Sequence, residues 1–178
     1  MATPTTLPSS FSSGAVLTAA QMNNLRGAFR VFQVVSAAKT DTFSTASTSF
    51  VDVTGLSVSV TPSATSSKIL VFMDVKVGGA NLVDFPGLRL VRDSTAIYVG
   101  DAASSRIQAT FGGNVLGDMM PSAVGIFLDS PSTTSATTYK VQMRVASDTG
   151  YVNRSDTDTN SASYYRAASS ITVMEISA

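Results

Sequence analysis

The chain contains no histidine and no cysteine, the groups on which most hydrolytic triads, zinc centres and general bases rely. Chemistry is left to carboxylates. Glu175 is the one glutamate, so a paired-carboxylate glycosidase would have to be built from aspartates. Asp52, Asp74, Asp84, Asp101, Asp129, Asp156 and Asp158 fall mostly at turns or strand ends, where aspartate caps backbone groups. No enzymatic activity is expected.

Four smaller features bear on binding. Ser155-Asp156-Thr157-Asp158-Thr159-Asn160 alternates oxygen donors as a calcium loop does, but lacks the glycine and closing glutamate of the twelve-residue loop. It reads as a solvated loop, and neither a metal nor an organic cofactor is expected. Asn153-Arg154-Ser155 matches a glycosylation sequon and Gly112-Gly113 a fragment of a phosphate loop. The first needs an export context and the second a following Lys-Ser/Thr and helix, so neither is assigned a role. Tyr151, Tyr164 and Tyr165 are the one candidate platform for stacking on a sugar ring, since the chain has no tryptophan. Glu175 itself sits in an apolar stretch, Ile171-Thr172-Val173-Met174-Glu175-Ile176. A charge so close to a core needs a partner, for which Arg89, Arg92 or Arg166 are the candidates; the alternative is an edge position facing water.

The elements that would carry these residues are mostly strands. Residues 1–14 are rich in Pro, Ser, Thr and Gly and read as an extended arm. One helix is expected over 18–28. Thr18 with Gln21 forms a capping box, Leu17 with Met22 has the spacing of a hydrophobic staple, and Met22, Leu25 and Phe29 share one face. A helix of about three turns is unstable alone, so this face must dock on something. Leu17, Met22, Leu25 and Phe29 are therefore the candidate attachment residues.

From Phe29 the period becomes two, and both faces of 29–36 are apolar, which predicts a strand covered on each side. Further strands are expected at 41–45, 50–53, 56–60, 68–77, 87–92, 95–100, 106–111, 122–129, 138–146, 150–153 and 170–176. Turn signals separate them, among them Thr54-Gly55, Gly78-Gly79, Asp93-Ser94 and Asp148-Thr149-Gly150. Short strands at this spacing predict an all-β antiparallel jelly roll or β-sandwich, carrying a short N-terminal arm and one α-helix. The chain divides into an arm and anchoring helix at 1–28 and a β-domain at 29–178.

Composition narrows the class. The chain has 178 residues, 44% of them hydrophobic and only 13% charged, about half the usual charged share. Serine and threonine cover the surface instead, at roughly a quarter of the chain against a typical tenth or so. Twelve basic and twelve acidic residues cancel, so no basic field exists for nucleic acid. No apolar run has membrane-spanning length, and 1–14 lack the basic start and apolar stretch of a signal peptide. Ile69-Leu70-Val71-Phe72-Met73 and Ala123-Val124-Gly125-Ile126-Phe127-Leu128 are nearly continuous apolar runs. A lone sandwich buries one face of each sheet, so a second apolar face calls for a partner, and a homotrimer is expected.

Two groups of segments carry a resemblance. Leu7-Pro8, Phe11-Ser12-Ser13-Gly14 and Val16-Leu17-Thr18-Ala19-Ala20-Gln21-Met22-Asn23-Asn24-Leu25 resemble the N-terminal anchor of short bacteriophage tail-fibre and appendage proteins. Ser66-Ser67-Lys68-Ile69-Leu70-Val71, Leu90-Val91-Arg92-Asp93-Ser94-Thr95-Ala96-Ile97, Phe127-Leu128-Asp129-Ser130-Pro131 and Thr172-Val173-Met174-Glu175-Ile176 resemble small phage structural proteins. The resemblance implies a virion subunit assembled in the host cytoplasm, commonly a homotrimer with a C1q-like or tumour-necrosis-factor-like jelly roll. Its partners would be copies of itself and other tail or capsid proteins. The expected role is a short tail fibre or fibre adaptor, with a capsid decoration protein (cement or head fibre) or a host-glycan-binding sandwich as alternatives.

Overall fold

The computed structural model describes residues 14, 16, 18, 19, 22, 31–80, 86–115 and 117–176. Eleven strands make up the described body. They are β1 (Val31–Lys39), β2 (Phe43–Thr45), β3 (Val51–Val60), β4 (Lys68–Gly79), β5 (Gly87–Arg92), β6 (Thr95–Ile97), β7 (Phe111–Gly112), β8 (Ser122–Asp129), β9 (Thr137–Arg144), β10 (Gly150–Val152) and β11 (Ser169–Ile176). All their pairings are antiparallel. The expected all-β sandwich is what the chain forms.

One sheet runs β1-β11-β4-β10-β2, with β8 on the free side of β4; the other runs β3-β9-β5-β6, with β7 on β5. Chain order alternates between the sheets, as in a jelly roll, so each sheet is closed by strands distant in sequence. Between them lies one core that includes Leu56, Ile69, Val71, Met73, Leu88, Leu90, Tyr139, Val141, Met143, Ile171 and Val173. These are the inward positions of period-two strands, as in Ile69, Val71, Met73 and Val75 of β4.

Several boundaries differ from the sequence reading. The segments 50–53 and 56–60 are one strand, β3, with a register shift between Asp52 and Ser57. Thr54-Gly55 is a bulge within that strand, and Gly55 takes φ +86 there, which glycine adopts without penalty. Of 95–100 only Thr95–Ile97 is strand, and of 106–111 only Phe111 joins one. The intervening loop closes on itself through Arg106 N to Ala103 O and Gly100 N to Ala109 O, so it has no need of a ladder. The strand at 31–39 is not covered on both sides: Val31, Phe32 and Val34 are exposed, because β1 is the edge of its sheet and, among the described residues, no strand lies over its outer face.

Gly78-Gly79 is the end of β4 and not a turn. A Cβ on Gly78 would stand 2.2 Å from the Arg154 carbonyl oxygen, so glycine is needed for β10 and the segment after it to close against β4. Gly78→Ala is expected to cost about 3 kcal/mol, an overpacking penalty against backbone that cannot swing away. Urea denaturation of the variant checks this; an unchanged midpoint would show that the two segments separate freely.

The helix at 18–28 lies largely outside the described residues. Within them, Ala19 and Met22 are helical and Met22 N–H donates to Thr18 O at 3.0 Å. Met22 is exposed; Leu17, Leu25 and Phe29 lie outside the described residues.

Candidate functional site

Outward-facing positions of β1, β11, β4 and β8 fall into register as rows across the sheet. Val34 stands opposite Met174, Met174 opposite Leu70, and Leu70 opposite Leu128. The next row is Ser36, Thr172, Phe72 and Ile126, and the next Ala38, Ser170, Asp74 and Val124. Val34, Val124, Ile126 and Leu128 are each more than half exposed. Ser36 and Thr172 satisfy one another through a 2.7 Å hydroxyl–hydroxyl bond, so the row they interrupt still offers little free polarity. With strands about 4.8 Å apart and rows about 6.8 Å apart, the three rows span roughly 400 Å² in plan. Ser36, Thr172, Ser170 and Asp74 occupy four of the twelve positions, so the apolar part is smaller. It runs unbroken across all four strands in the first row and continues through Phe72, Ile126 and Val124, a kind of patch that is often functional.

Among the described residues, charges stand only at the ends of this face. Lys68 Nζ donates to Ser130 Oγ at 2.7 Å at one end. At the other, Lys76 Nζ binds Asp74 and Ser122 at 2.6–2.7 Å. The two apolar runs noted in the sequence thus divide by the pleat: Ile69, Val71 and Met73 enter the core, while Leu70, Phe72, Val124, Ile126 and Leu128 form the outer surface.

The buried polar side chains turn inward, to the fold. Glu175 is fully buried but meets none of the proposed arginines. Its Oε1 accepts from Ser63 N–H, Ser63 Oγ and Ser67 Oγ, and its Oε2 from Gln33 Nε2, all at 2.6–2.7 Å. Burial alone would raise its pKa; the hydrogen bonds from Ser63, Gln33 and Ser67 outweigh burial and hold the carboxyl below its ordinary range. The arginines are engaged elsewhere: Arg92 with Asp129, Arg166 with Asp158, and Arg89 with Gln142. Glu175 is inward because β11 alternates strictly, which puts Ile171, Val173 and Glu175 on the core side.

Asp129 of β8 ties the two sheets together. It accepts Arg92 Nη1 at 2.8 Å and Tyr139 Oη at 2.6 Å, from β5 and β9. Burial and then the bond to Asp129 push the Tyr139 phenol upward, so it stays a donor. Asn153 serves at the other end of β4. Its Nδ2 donates to Lys39 O and Asp41 O at 2.8 and 2.9 Å, and its Oδ1 accepts from Ser169 Oγ. The sequon nitrogen is therefore spent on backbone carbonyls.

The remaining candidates are dispersed. Asp158 is clamped by Arg154 Nη1 at 2.8 Å and Arg166 Nη2 at 2.7 Å, so cations of the chain itself already occupy the acidic loop. Among the described residues no cluster of three or more acidic groups is placed to hold a metal. Tyr151 has the Arg154 guanidinium 3.9 Å over its ring, while Tyr164 is half-buried and Tyr165 exposed in the segment between β10 and β11. Among the described residues no ring contact joins the three; the stacked pair is Tyr98 with Phe127.

No family model and no curated protein matches the chain. Among solved structures, it is similar to the structure of infectious bursal disease virus Gx strain, at 14% identity and a TM-score of 0.39 over 82% of this chain. The similarity covers 32% of that neighbour, so the chain spans about a third of its length.

Proposed function

We propose that the chain is a non-enzymatic structural subunit of a bacteriophage particle, working as a self-associating homotrimer. The observation that carries this reading is the exposed apolar face of β1, β11, β4 and β8. It is continuous over four strands, so one neighbour can cover β1 and β11 while another covers β4 and β8, as a closed ring of copies requires. Low charge and a Ser/Thr-covered surface suit a chain that lives in an assembly. The absence of histidine and cysteine supports a structural role, as does the commitment of Glu175 and Asp129 to internal donors. Within the particle the reading is a short tail fibre or fibre adaptor attached through 1–28.

Light scattering coupled to gel filtration tests the assembly. The wild-type chain is expected at three times its own mass at micromolar concentration, and Ile126→Asp with Leu128→Asp is expected as a folded monomer, since each buried aliphatic side chain is worth about 1.5–3 kcal/mol. A wild-type monomer would overturn self-association. Localisation of the protein in an electron cryomicroscopy map of the intact particle tests the tail assignment against a capsid position.

A further inference from the structure

The outer face of the second sheet has a different chemistry. Arg89 of β5 stands opposite Gln142 of β9, and Arg144 lies two residues further along β9, opposite Gly87. The two arginines are thus diagonal cross-strand neighbours. Arg89 Nε donates to Gln142 Oε1 at 2.8 Å, and its guanidinium lies 4.2 Å from the Phe50 ring centroid. Arg144 Nε donates to Thr48 O at 2.7 Å. Its stem and the Phe50 ring close over Gly87, where a Cβ would lie 3.6 and 3.9 Å from them.

Both guanidiniums are therefore held in place through Nε. Fixing the side chain this way lowers the entropy lost when the terminal amino groups grip a planar oxyanion. Among the described residues neither arginine has an ion-pair partner. The carboxylate on the neighbouring strand, Asp52, is taken by Lys140 Nζ at 2.7 Å and Gln142 Nε2 at 2.6 Å. Hydrogen bonds from Lys140 and Gln142 hold its carboxyl below the usual range, with a smaller contribution from the Arg89 charge.

We infer that this face docks an extended acidic peptide segment of a partner protein, with carboxylates at alternate positions. Diagonal cross-strand neighbours stand about 7–8 Å apart, and alternate side chains of an extended segment about 7 Å apart. Two carboxylates so spaced meet both arginines, each as a paired, charge-assisted contact. A nucleic acid would need a longer basic track than two arginines beside a neutralised Asp52. The face lies on the opposite side of the sandwich from the apolar one, so covering the latter leaves it open.

The probe is a fluorescein-labelled Gly-Glu-Gly-Glu-Gly-Glu peptide, followed by anisotropy at low salt. It should bind, its glutamine counterpart should not, and Arg89→Met with Arg144→Met should weaken binding at least about tenfold with the fold intact by circular dichroism. Should the double variant fail to fold, Arg144→Met alone must weaken binding at least about fivefold. No binding by the wild-type protein, or undiminished binding by the variants, overturns the inference. Binding of polygalacturonate without binding of the peptide also overturns it, and assigns the arginines to a sugar acid instead.

Discussion

Replacing Glu175 with alanine should lower the stability of the sandwich by about 3–5 kcal/mol, because four buried or part-buried donors lose their acceptor together. Ser63 N–H, Ser63 Oγ, Ser67 Oγ and Gln33 Nε2 would each face a cavity where a carboxylate stood. Glu175→Gln keeps the shape and one acceptor and should cost less, about 2 kcal/mol. The two variants separate the charge from the volume. The wild type should also be acid-sensitive in a way the glutamine variant is not. The folded-state pKa of Glu175 lies below its unfolded value of 4.5, so the carboxylate adds stability above that pH. That contribution fades as the pH falls from 4.5 through the folded-state value. Melting temperatures of both proteins measured from pH 7 to pH 3 should converge at the acid end. A constant difference across that range would mean that the ionised form contributes nothing.

Asn153→Ala should cost about 3–4 kcal/mol, or roughly 10 °C in melting temperature for a chain of this length. The carboxamide joins the end of β1, the turn after it and the start of β11 through Lys39 O, Asp41 O and Ser169 Oγ. Its own N–H donates to Lys76 O, and its carbonyl accepts from Ala167 N–H. Alanine would also have to adopt the left-handed backbone at φ 66, which asparagine tolerates better than most residues. Asn153→Gly removes the same side-chain bonds without that strain and should recover about 1 kcal/mol of the loss. Equal stability of the alanine and glycine variants would assign the whole effect to the hydrogen bonds.

Most strands are legible in the sequence because alternation and turn residues agree there. β4, β5, β8, β9 and β11 fall within two residues of the reading at each end. The misses have physical causes. Gly78 and Gly79 look like a turn by type, yet stay in a strand because a second segment presses on them. Ile107 lies in a stretch that suits a strand, but it is exposed in a loop closed by its own hydrogen bonds. A second apolar face is visible in the unbroken runs at 69–73 and 123–128, but which residues face out is decided only by the pleat. Glu175 shows why the rest was hidden. Its need for a partner follows from burial, but Ser63, Ser67 and Gln33 are neutral donors whose spacing announces nothing. Arg89 and Phe50 become neighbours only through the register of β3, β9 and β5.

The rows of the apolar face have a consequence for the order of events during synthesis. β1 is made before β4 and β8, and β11 after both, yet Val34 lies beside Met174, and Leu70 lies between Met174 and Leu128. While the chain emerges from the ribosome, β1 has no strand to pair with, and β4 is open on the side that β11 will fill. The face that the proposed association would use therefore does not exist as a surface until β11 has been translated. A chain that stops before β11 lacks it, so the proposed self-association is coupled to the making of that strand without a separate factor. The cost is kinetic: closing contacts this distant in sequence makes folding slow, and it leaves β1 as an unpaired apolar strand in the meantime.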